Sequence, residues 1–386
     1  MASLPLAARR NRIRCVVVWN KDHMFSKRLG HAFFFLIVLL LAGSFQSRQL
    51  ALAHSVSAVR YRIVRSVRLG KPNAWDYVVY DGKARRVFVA HGNELTVVDG
   101  RSGRIVGNVG PIPGGPHGIA FDTQAGIGIT DDGRKGEAVL FNLETLRITG
   151  RLAIQSGADA VTFDPVSKHA FIVDGDTGGV AVIDPLRERV VTFIHLGGDL
   201  EYAVAGGNGK VYVNGVTGNE IFRIDTKTNR VDAVWPMVGC HDPHGLAMDR
   251  RTHRLFSGCE NGRLMILNSK TGAVVGSVPV GGGNDAVAFD PRRRRILVPG
   301  GTRGTVSVIS EVNPSTFVPV AVVATAPSGR TMAVDPESGR LFVAAGRVMS
   351  RKAWDEFSAA YQSGKRSGRA PLNPDSLHLL LLDPVY

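Results

Sequence analysis

Three motifs that carry common chemistries are missing from this sequence. It contains no Gly-Lys-Ser/Thr phosphate loop, no Gly-x-Ser-x-Gly nucleophile elbow and no Cys-x-x-Cys-His haem-attachment site. Their absence excludes P-loop nucleotide hydrolases, hydrolases built on that elbow and c-type cytochromes. Residues for any other chemistry must therefore be found from the organisation of the chain.

The sequence also lacks an apolar run long enough for a comfortable membrane span. The longest run, residues 31–45, has an apolar core of about a dozen residues, whereas a spanning helix needs about 20. Lys27 and Arg28 precede it, and the small-x-small pattern Ala51-Leu52-Ala53 follows it. A basic region, an apolar core and a small-residue site predict a secretory signal peptide over residues 1–53.

The start of this signal peptide is predicted at Met24. Counting from Met24 gives an n-region of ordinary length, so residues 1–23 are interpreted as an extension upstream of the true start. An uncleaved signal anchor is the alternative. In both cases the folded part, from His54 onward, is predicted to be periplasmic or extracellular, and cleavage would leave no membrane span.

The chain is basic, with a net charge of +14, but half of that charge belongs to residues 1–53, which hold eight Lys or Arg and one acid. Part of the remainder lies in the run Arg292-Arg293-Arg294-Arg295 and in residues 346–376. A basic surface attracts nucleic acid or an anionic membrane. The charges lack the interleaved aromatic residues of a strand-binding groove, so a solvated turn and loop are the favoured interpretation.

Short β-branched and aromatic runs are abundant, and they recur. Residues 158–199 hold four of them, AVTFD, HAFIV, VAVID and VVTFI, separated by Pro, Gly, Asp and Ser clusters. This pattern predicts four strands joined by tight turns, which form one antiparallel sheet. The unit recurs with a period just above forty residues, which predicts an all-β fold, a β-propeller with one sheet as each blade.

Seven copies of the unit align on the residue that ends each first strand. They begin near Trp75, Pro116, Ala158, Leu200, Pro243, Asn284 and Gly329. The seventh copy has only three strands before the last residue, whereas residues 61–69 have the pattern of a strand and belong to no copy. We predict that this N-terminal strand completes the last blade, so that residues 54–386 form a closed seven-bladed propeller.

The seventh copy contains an insertion at residues 346–376, after its second strand. Trp354, Phe357 and Tyr361 are spaced there to lie on one face of a short helix. Because the insertion joins strands two and three, it should emerge at the same end of the propeller as the connections between blades. A lid over the channel mouth and a surface flap packed on the seventh blade both remain open.

Two of the three cysteines remain after the predicted signal is removed with Cys15. Cys240 falls in the connection into the fifth blade, and Cys259 follows the second strand of that blade. These two positions lie at the same end of an antiparallel sheet, so a disulfide is predicted in an oxidising compartment. Two free buried thiols are the alternative.

One polar position recurs five residues before the residue on which the blades are aligned. In a propeller the first strand lines the channel, so these side chains should form a ring at one mouth, with residues spaced 41 to 45 apart. We predict that this ring binds a ligand. Its members are Asp76, His117, Asp159, Glu201, His244, Asp285 and Arg330.

Carboxylates and imidazoles in such a ring can bind a divalent cation, perform acid–base work or hold a polar ligand. They can also simply satisfy backbone donors in the turns between blades. No cofactor is predicted and no metal site is assigned. If a divalent metal binds, Glu201, His244 and Asp285 are the favoured ligands because they are neighbours in the ring.

The sequence resembles the YVTN-repeat propellers, in particular the YncE-like family of exported seven-bladed proteins. The likeness rests on the stretch of residues 161–184, on WDYVVYD at the first blade, CHDPHGLAMD before the fifth, NDAVAFD at the sixth and GRTMAVDP at the seventh. It spans residues 59–386. The resemblance implies an exported propeller in a family linked to various roles, including nucleic-acid binding.

PHGIAFD and PHGLAMD are similar to repeats of lactonase and lyase propellers, whose channel mouths hold a divalent metal. This likeness implies an enzyme as an alternative function.

From the fold, the ring and the predicted export, we expect a monomeric, exported binding module with a small polar ligand or a protein partner at the channel mouth. A metal-dependent hydrolase, lactonase or lyase that uses the ring is one alternative. A binder of nucleic acid or an anionic surface, through residues 292–295 and the insertion, is another.

Overall fold

The computed structural model describes residues 59–362 and 370–385, which form seven four-stranded antiparallel sheets. This confirms the predicted seven-bladed β-propeller. The predicted signal peptide, its cleavage site and the start at Met24 lie outside the described residues. No helix in the described ranges is long and apolar enough to cross a membrane.

Each of the first six blades uses four consecutive strands in chain order. Blade one contains β2 (Trp75–Asp81), β3 (Arg86–His91), β4 (Glu94–Asp99) and β5 (Ile105–Val109); blade two contains β6 (Ile119–Asp122), β7 (Ile127–Asp132), β8 (Glu137–Asn142) and β9 (Ile148–Ala153). Blade three contains β10 (Ala158–Asp164), β11 (His169–Asp174), β12 (Gly179–Asp184) and β13 (Arg189–His195).

The next three blades repeat this order. Blade four contains β14 (Leu200–Ala205), β15 (Lys210–Gly215), β16 (Glu220–Asp225) and β17 (Arg230–Pro236); blade five contains β18 (Pro243–Asp249), β19 (Arg254–Cys259), β20 (Arg263–Asn268) and β21 (Val274–Pro279). Blade six contains β22 (Ala288–Asp290), β23 (Arg295–Gly300), β24 (Thr305–Asn313) and β25 (Thr316–Ala324).

The seventh blade is assembled from both ends of the described chain. Its sheet order is β1 (Arg60–Gly70), β28 (Leu377–Val385), β27 (Leu341–Ala345) and β26 (Thr331–Val334). β1 pairs antiparallel with β28, from Arg60 opposite Val385 to Gly70 opposite Leu377. The predicted closure by an N-terminal strand is therefore confirmed.

Aspartate or asparagine at the end of the first and third strands explains the regular turns. Asp81 Oδ1 accepts a hydrogen bond from the backbone N–H of Lys83 at 2.9 Å, and Asp290 Oδ1 accepts one from Arg292 at 3.0 Å. Asn142 plays the same part after a third strand. A short polar side chain that bonds the backbone two residues on stabilises a tight turn, so the recurring residue marks the far end of each blade.

Burial follows the position of a strand in its blade. β12 in the middle of blade three is buried along its whole length, whereas the outer strand β17 alternates between exposed and half-buried residues. Side chains of neighbouring blades meet between the sheets, as Phe171 and Val182 do with Val213. Full burial of one such side chain contributes about 1.5–3 kcal/mol, so the ring is held together by contacts between blades.

The predicted disulfide is present. Cys240 and Cys259 are bonded, with their Cα atoms 5.5 Å apart. Both residues are buried in the core of blade five, and the bond ties the entry into that blade to the end of its second strand. The alternative of two free thiols is wrong, and a disulfide is typical of an oxidising compartment.

The insertion forms a helix, α1 (Arg351–Gln362). Trp354 is buried, and its Nε1–H donates a hydrogen bond to the carbonyl oxygen of Thr302 in blade six at 2.9 Å. The ring of Phe357 lies 5.5 Å from the ring of Trp354. Tyr361 lies in the last turn of α1, and its side chain falls outside the described residues. The helix is thus fastened to the neighbouring blade at the channel-mouth end.

Removing β1 should abolish cooperative unfolding. Deleting residues 54–70 exposes Leu379 and Leu381, which pack with Val67 in the core of the last blade, and each loses about 1.5–3 kcal/mol of burial. Thermal denaturation followed by circular dichroism is the measurement. A chain that lacks only residues 54–58 keeps β1 and should melt like the parent. An unchanged melt after the longer deletion would show that closure is dispensable.

Candidate functional site at the channel mouth

The ring position lies where each first strand begins. Four ring residues are the second residue of their strand, namely Asp76 in β2, Asp159 in β10, Glu201 in β14 and His244 in β18. The other three precede their strands in the connections between blades, namely His117, Asp285 and Arg330. The side chains are brought to one end of the channel because every first strand runs in the same direction.

Five neighbouring blades contribute a continuous row of contacts, four of them through charged side chains and the fifth through an aromatic ring. His244 Nδ1 lies 3.1 Å from Glu201 Oε1 and 3.3 Å from Asp285 Oδ1. Asp285 also pairs with the guanidinium of Arg330. Arg330 in turn stands over the ring of Trp75, with its Cζ 5.7 Å from the ring centroid. This row connects blades four, five, six, seven and one.

A second contact runs across the channel. Tyr77, a buried residue of blade one, donates its hydroxyl hydrogen to Glu201 Oε2 in blade four at 3.0 Å. Its ring lies 4.7 Å from the ring of Tyr202. Glu201 is therefore held by both Tyr77 and His244.

His117 belongs to a separate group on the other side of the mouth. Its Nδ1 lies 2.9 Å from Oδ1 of Asp131, a fully buried residue at the mouth end of β7. The other carboxylate oxygen accepts the backbone N–H groups of His117 and Gly118, at 3.1 and 2.7 Å. Asp76 and Asp159 each bring an atom within 4.8 Å of an imidazole nitrogen of His117. Asp131 thus fixes the imidazole between two carboxylates.

Glu260 completes a third group that the ring position does not include. Candidate ligand atoms of His244, Glu260 and Asp285 lie within 4.8 Å of one another. Both carboxylate oxygens of Glu260 are buried without a hydrogen-bond partner in the described chain. Glu260 follows Cys259 at the end of a second strand, and Asp131 lies at the equivalent end of β7. In the sequence, such residues can be recognised as acidic residues at the end of a second strand, where that strand reaches the mouth.

Four ring residues share one cavity of about 710 Å³, namely His117, Asp159, Glu201 and His244. Its wall also includes Arg134, Asp176 and Asp199. A neighbouring cavity of about 530 Å³ is lined by Asp76 and again by His117. The ring is therefore divided, with Asp285 and Arg330 lining neither of these two cavities.

Burial shifts three carboxyl groups at the mouth towards the neutral form. It raises the pKa of Asp76 to about 7, although Arg330 and His117 act against it. Burial also raises the pKa of Glu260 to about 7, and burial together with the charge of Glu201 raises that of Asp159 well above its usual value. Asp76 and Glu260 therefore exchange protons near neutral pH, which is a feature of functional sites.

The histidines shift in the opposite sense to that expected from burial. Burial lowers the pKa of His117, but the hydrogen bond and charge of Asp131 outweigh it and raise that pKa to about 10. Burial likewise opposes the charged form of His244, yet Glu201 and Asp285 raise its pKa well above the ordinary value. Burial would raise the pKa of Asp285, but the charge of Arg330 and the hydrogen bond to His244 lower it. The mouth thus mixes cations, anions and neutral acids at pH 7.

The basic run 292–295 occupies the turn between β22 and β23 and the first position of β23, at the end of the blade away from the mouth. Arg293 contacts Asp290 and the carbonyl oxygen of Pro336 in blade seven, at 3.1 and 3.2 Å. Arg294 donates to the carbonyl oxygen of Val312 at 3.2 Å. At least two of these guanidinium groups therefore serve contacts within the propeller.

Fold and mouth together define a seven-bladed β-propeller whose channel opening is lined by ionisable side chains. No family model matches the sequence, and no curated protein matches it either. The structure is similar to Kuenenia stuttgartiensis hydrazine synthase, at 13% identity and a TM-score of 0.62, covering 69% of this chain and 91% of that chain. It is also similar to a chain of the mitotic checkpoint complex, at 13% identity and a TM-score of 0.65, covering 84% of this chain and 95% of that one. Both neighbours are β-propellers, and likeness at this identity shows the fold alone.

Replacing Asp131 by Asn should lower the pKa of His117 from about 10 towards 6.5, because the charge that holds its proton is removed. In the parent, protonated His117 stabilises the fold at neutral pH, and this contribution is lost as the pH rises through about 10. An NMR titration of the histidine side chains measures the change. Asp176→Asn removes an exposed mouth carboxylate and should leave the pKa of His117 high. An equal fall in both variants would contradict a specific role for Asp131.

Proposed function

We propose that this protein is an exported binding module that takes a small polar ligand at the channel mouth. The observation that carries the proposal is the cavity of about 710 Å³ in which His117, Asp159, Glu201 and His244 converge. Pockets for small ligands occupy about 300–1,000 Å³ and fix their ligand with a few converging polar groups. The alternative is a protein partner that binds at the same mouth.

The charges of the wall favour a ligand that is polar rather than strongly ionic. The cavity wall contains both acidic and cationic side chains. The acids are Asp159, Asp176, Asp199 and Glu201, and the cationic groups are Arg134, His117 and His244. Because donors and acceptors are both present, a ligand with hydroxyl, amide or paired ammonium and carboxylate groups would satisfy more of them than an apolar one. Sugars, polyols and amino acids are the chemical classes that fit.

Export is part of the proposal. The predicted signal peptide over residues 1–53 and the disulfide between Cys240 and Cys259 both favour the periplasm or the exterior. We also propose, from the motifs quoted above, that the chain is a member of the YVTN-repeat, YncE-like propellers. We expect it to act as a monomer because the ring completes its own last blade.

A panel of monosaccharides, polyols and amino acids should contain at least one compound that raises the melting temperature of the protein. A ligand at 100 times its Kd stabilises by about 2.7 kcal/mol, which a fluorescence melt detects. Glu201→Gln should remove the shift, since Glu201 lines the cavity. Glu188→Gln, in an exposed turn of blade three, is the matched control and should keep it. A panel without any stabilising compound, or a shift that survives Glu201→Gln, would count against this function.

A metal-dependent hydrolase, lactonase or lyase is the second candidate. The observation that favours it is the pair of groups with oxygen and nitrogen donors within 4.8 Å, Asp76–His117–Asp159 and His244–Glu260–Asp285. Carboxylate and imidazole donors suit divalent ions. Of the ligands predicted from sequence, His244 and Asp285 belong to the second group, while Glu201 contacts His244 from outside it.

Metal analysis separates the two candidates. If the enzyme hypothesis holds, protein dialysed against Mn²⁺ or Ca²⁺ should retain about one ion per chain. Glu260→Gln should lose it through the missing carboxylate, and Glu201→Ala through the loss of the acid that holds His244 in place. Glu188→Gln is again the control. Retention of no ion by the parent, or of the same amount by every variant, would leave the ring as a metal-free binding site.

A further inference from the structure

A strip of exposed arginines runs along the strand that closes the ring. Arg60, Arg62 and Arg65 are exposed on β1, and they stand opposite Val385, Asp383 and Leu381 of β28. These partners are every second residue of β28, so the three arginines lie on one face of the sheet. The register shift between Ile63 and Arg65 produces this arrangement, since an unbroken ladder would turn Arg65 to the opposite face.

Blade one extends the strip on the side that these arginines face. Arg101 and Arg104 are exposed in its turn between β4 and β5. The side chain of Arg65 packs against Gly103 of the same turn, which joins the two groups in space. We call these five residues the β1 arginine patch, namely Arg60, Arg62, Arg65, Arg101 and Arg104. It lies at the end of the propeller away from the channel mouth, where third strands finish.

The positive charge of the patch is only partly balanced within the propeller, since the charge of Asp99 acts on Arg101, and Asp335 and Glu337 line a cavity with Arg101. None of its guanidinium groups forms an ion pair or hydrogen bond within the described ranges. The carboxylate of Asp383, the residue opposite Arg62, is bound by Arg340 instead. The Nε and Nη2 atoms of Arg340 lie 2.6 and 2.8 Å from its two oxygens. Asp99, next to Arg101, accepts the hydroxyl hydrogen of Ser102 at 2.7 Å.

Exposed aliphatic side chains lie along the same two outer strands, β1 and β5. Ile63 and Val64 on β1 are 43% and 39% exposed, and Ile105 and Val106 on β5 are 49% and 44% exposed. Arginine with aliphatic neighbours is typical of surfaces that lie on a bilayer, because the cations meet phosphate groups while the aliphatic groups reach the acyl boundary. Single-stranded nucleic acid is bound instead by aromatic side chains that stack on bases, and the patch contains none.

The path of the chain favours the same partner. β1 is entered from residues 46–58, which join it to the apolar run at residues 31–45. Where that run is kept as an anchor, β1 is the first strand after it, so the patch lies on the strand nearest to the bilayer along the chain. We infer that the β1 arginine patch binds the surface of a bilayer that contains anionic phospholipid, at the face opposite the ligand-binding mouth.

Vesicle co-sedimentation tests this with the chain from His54 onward. All seven blades and β1 lie downstream of His54, so this chain keeps every contact described above. It should sediment with vesicles of phosphatidylcholine and phosphatidylglycerol, but not with phosphatidylcholine alone, and added salt should release it. The triple variant Arg60→Ser/Arg62→Ser/Arg65→Ser should bind the anionic vesicles at least about tenfold more weakly.

The matched control is Arg230→Ser/Arg251→Ser/Arg303→Ser. It removes the same charge from exposed arginines of other blades and should bind like the parent. An equal loss in both triple variants would overturn the proposal, since net charge alone would then explain binding. So would equal binding of the parent to neutral vesicles. Duplex DNA that binds the parent more tightly than anionic vesicles at the same salt concentration would assign the patch to nucleic acid instead. Melting curves establish that each variant is folded.

Discussion

Pairing between β1 and β28 is the interaction on which the whole architecture depends. Each blade buries its faces only against its two neighbours, so an open ring would leave apolar faces of the first and last blades in water. The register from Arg60 opposite Val385 to Gly70 opposite Leu377 completes the last sheet, and Arg340 adds a polar tie from Asp383 to the backbone of blade one at Gly100. Only in a closed ring do seven first strands face a common channel.

The mouth shows how a repeated scaffold produces an irregular site. The backbone brings one position of each blade to the same level, but the side chains that occupy it have opposite charges and unequal burial. His117 is oriented by Asp131 and stays charged, whereas Asp76 and Asp159 are driven towards the neutral form. The repeat thus determines where each ring residue lies, whereas its side chain and the neighbours of that side chain determine its protonation state.

The features that follow from the repeat period can be predicted from the sequence. The number of blades, the closing strand, the ring and the partnership of Cys240 with Cys259 all come from aligning one unit with the next. Glu260 and Asp131 escape it because they lie at the ends of second strands, where the alignment carries no recurring polar residue. The division of the ring between separate cavities depends on side-chain directions, and the contact of Trp354 with Thr302 depends on loop lengths. Neither is encoded by the period.

The contact of Tyr77 with Glu201 joins blades that lie nearly opposite each other in the ring, and the ring of Tyr77 packs against that of Tyr202 beside it. The position of Glu201 in the ligand cavity therefore depends on a residue from the opposite side of the ring. A substitution at Tyr77, which lines neither of the two cavities, is thus able to alter the site from a distance of three blades.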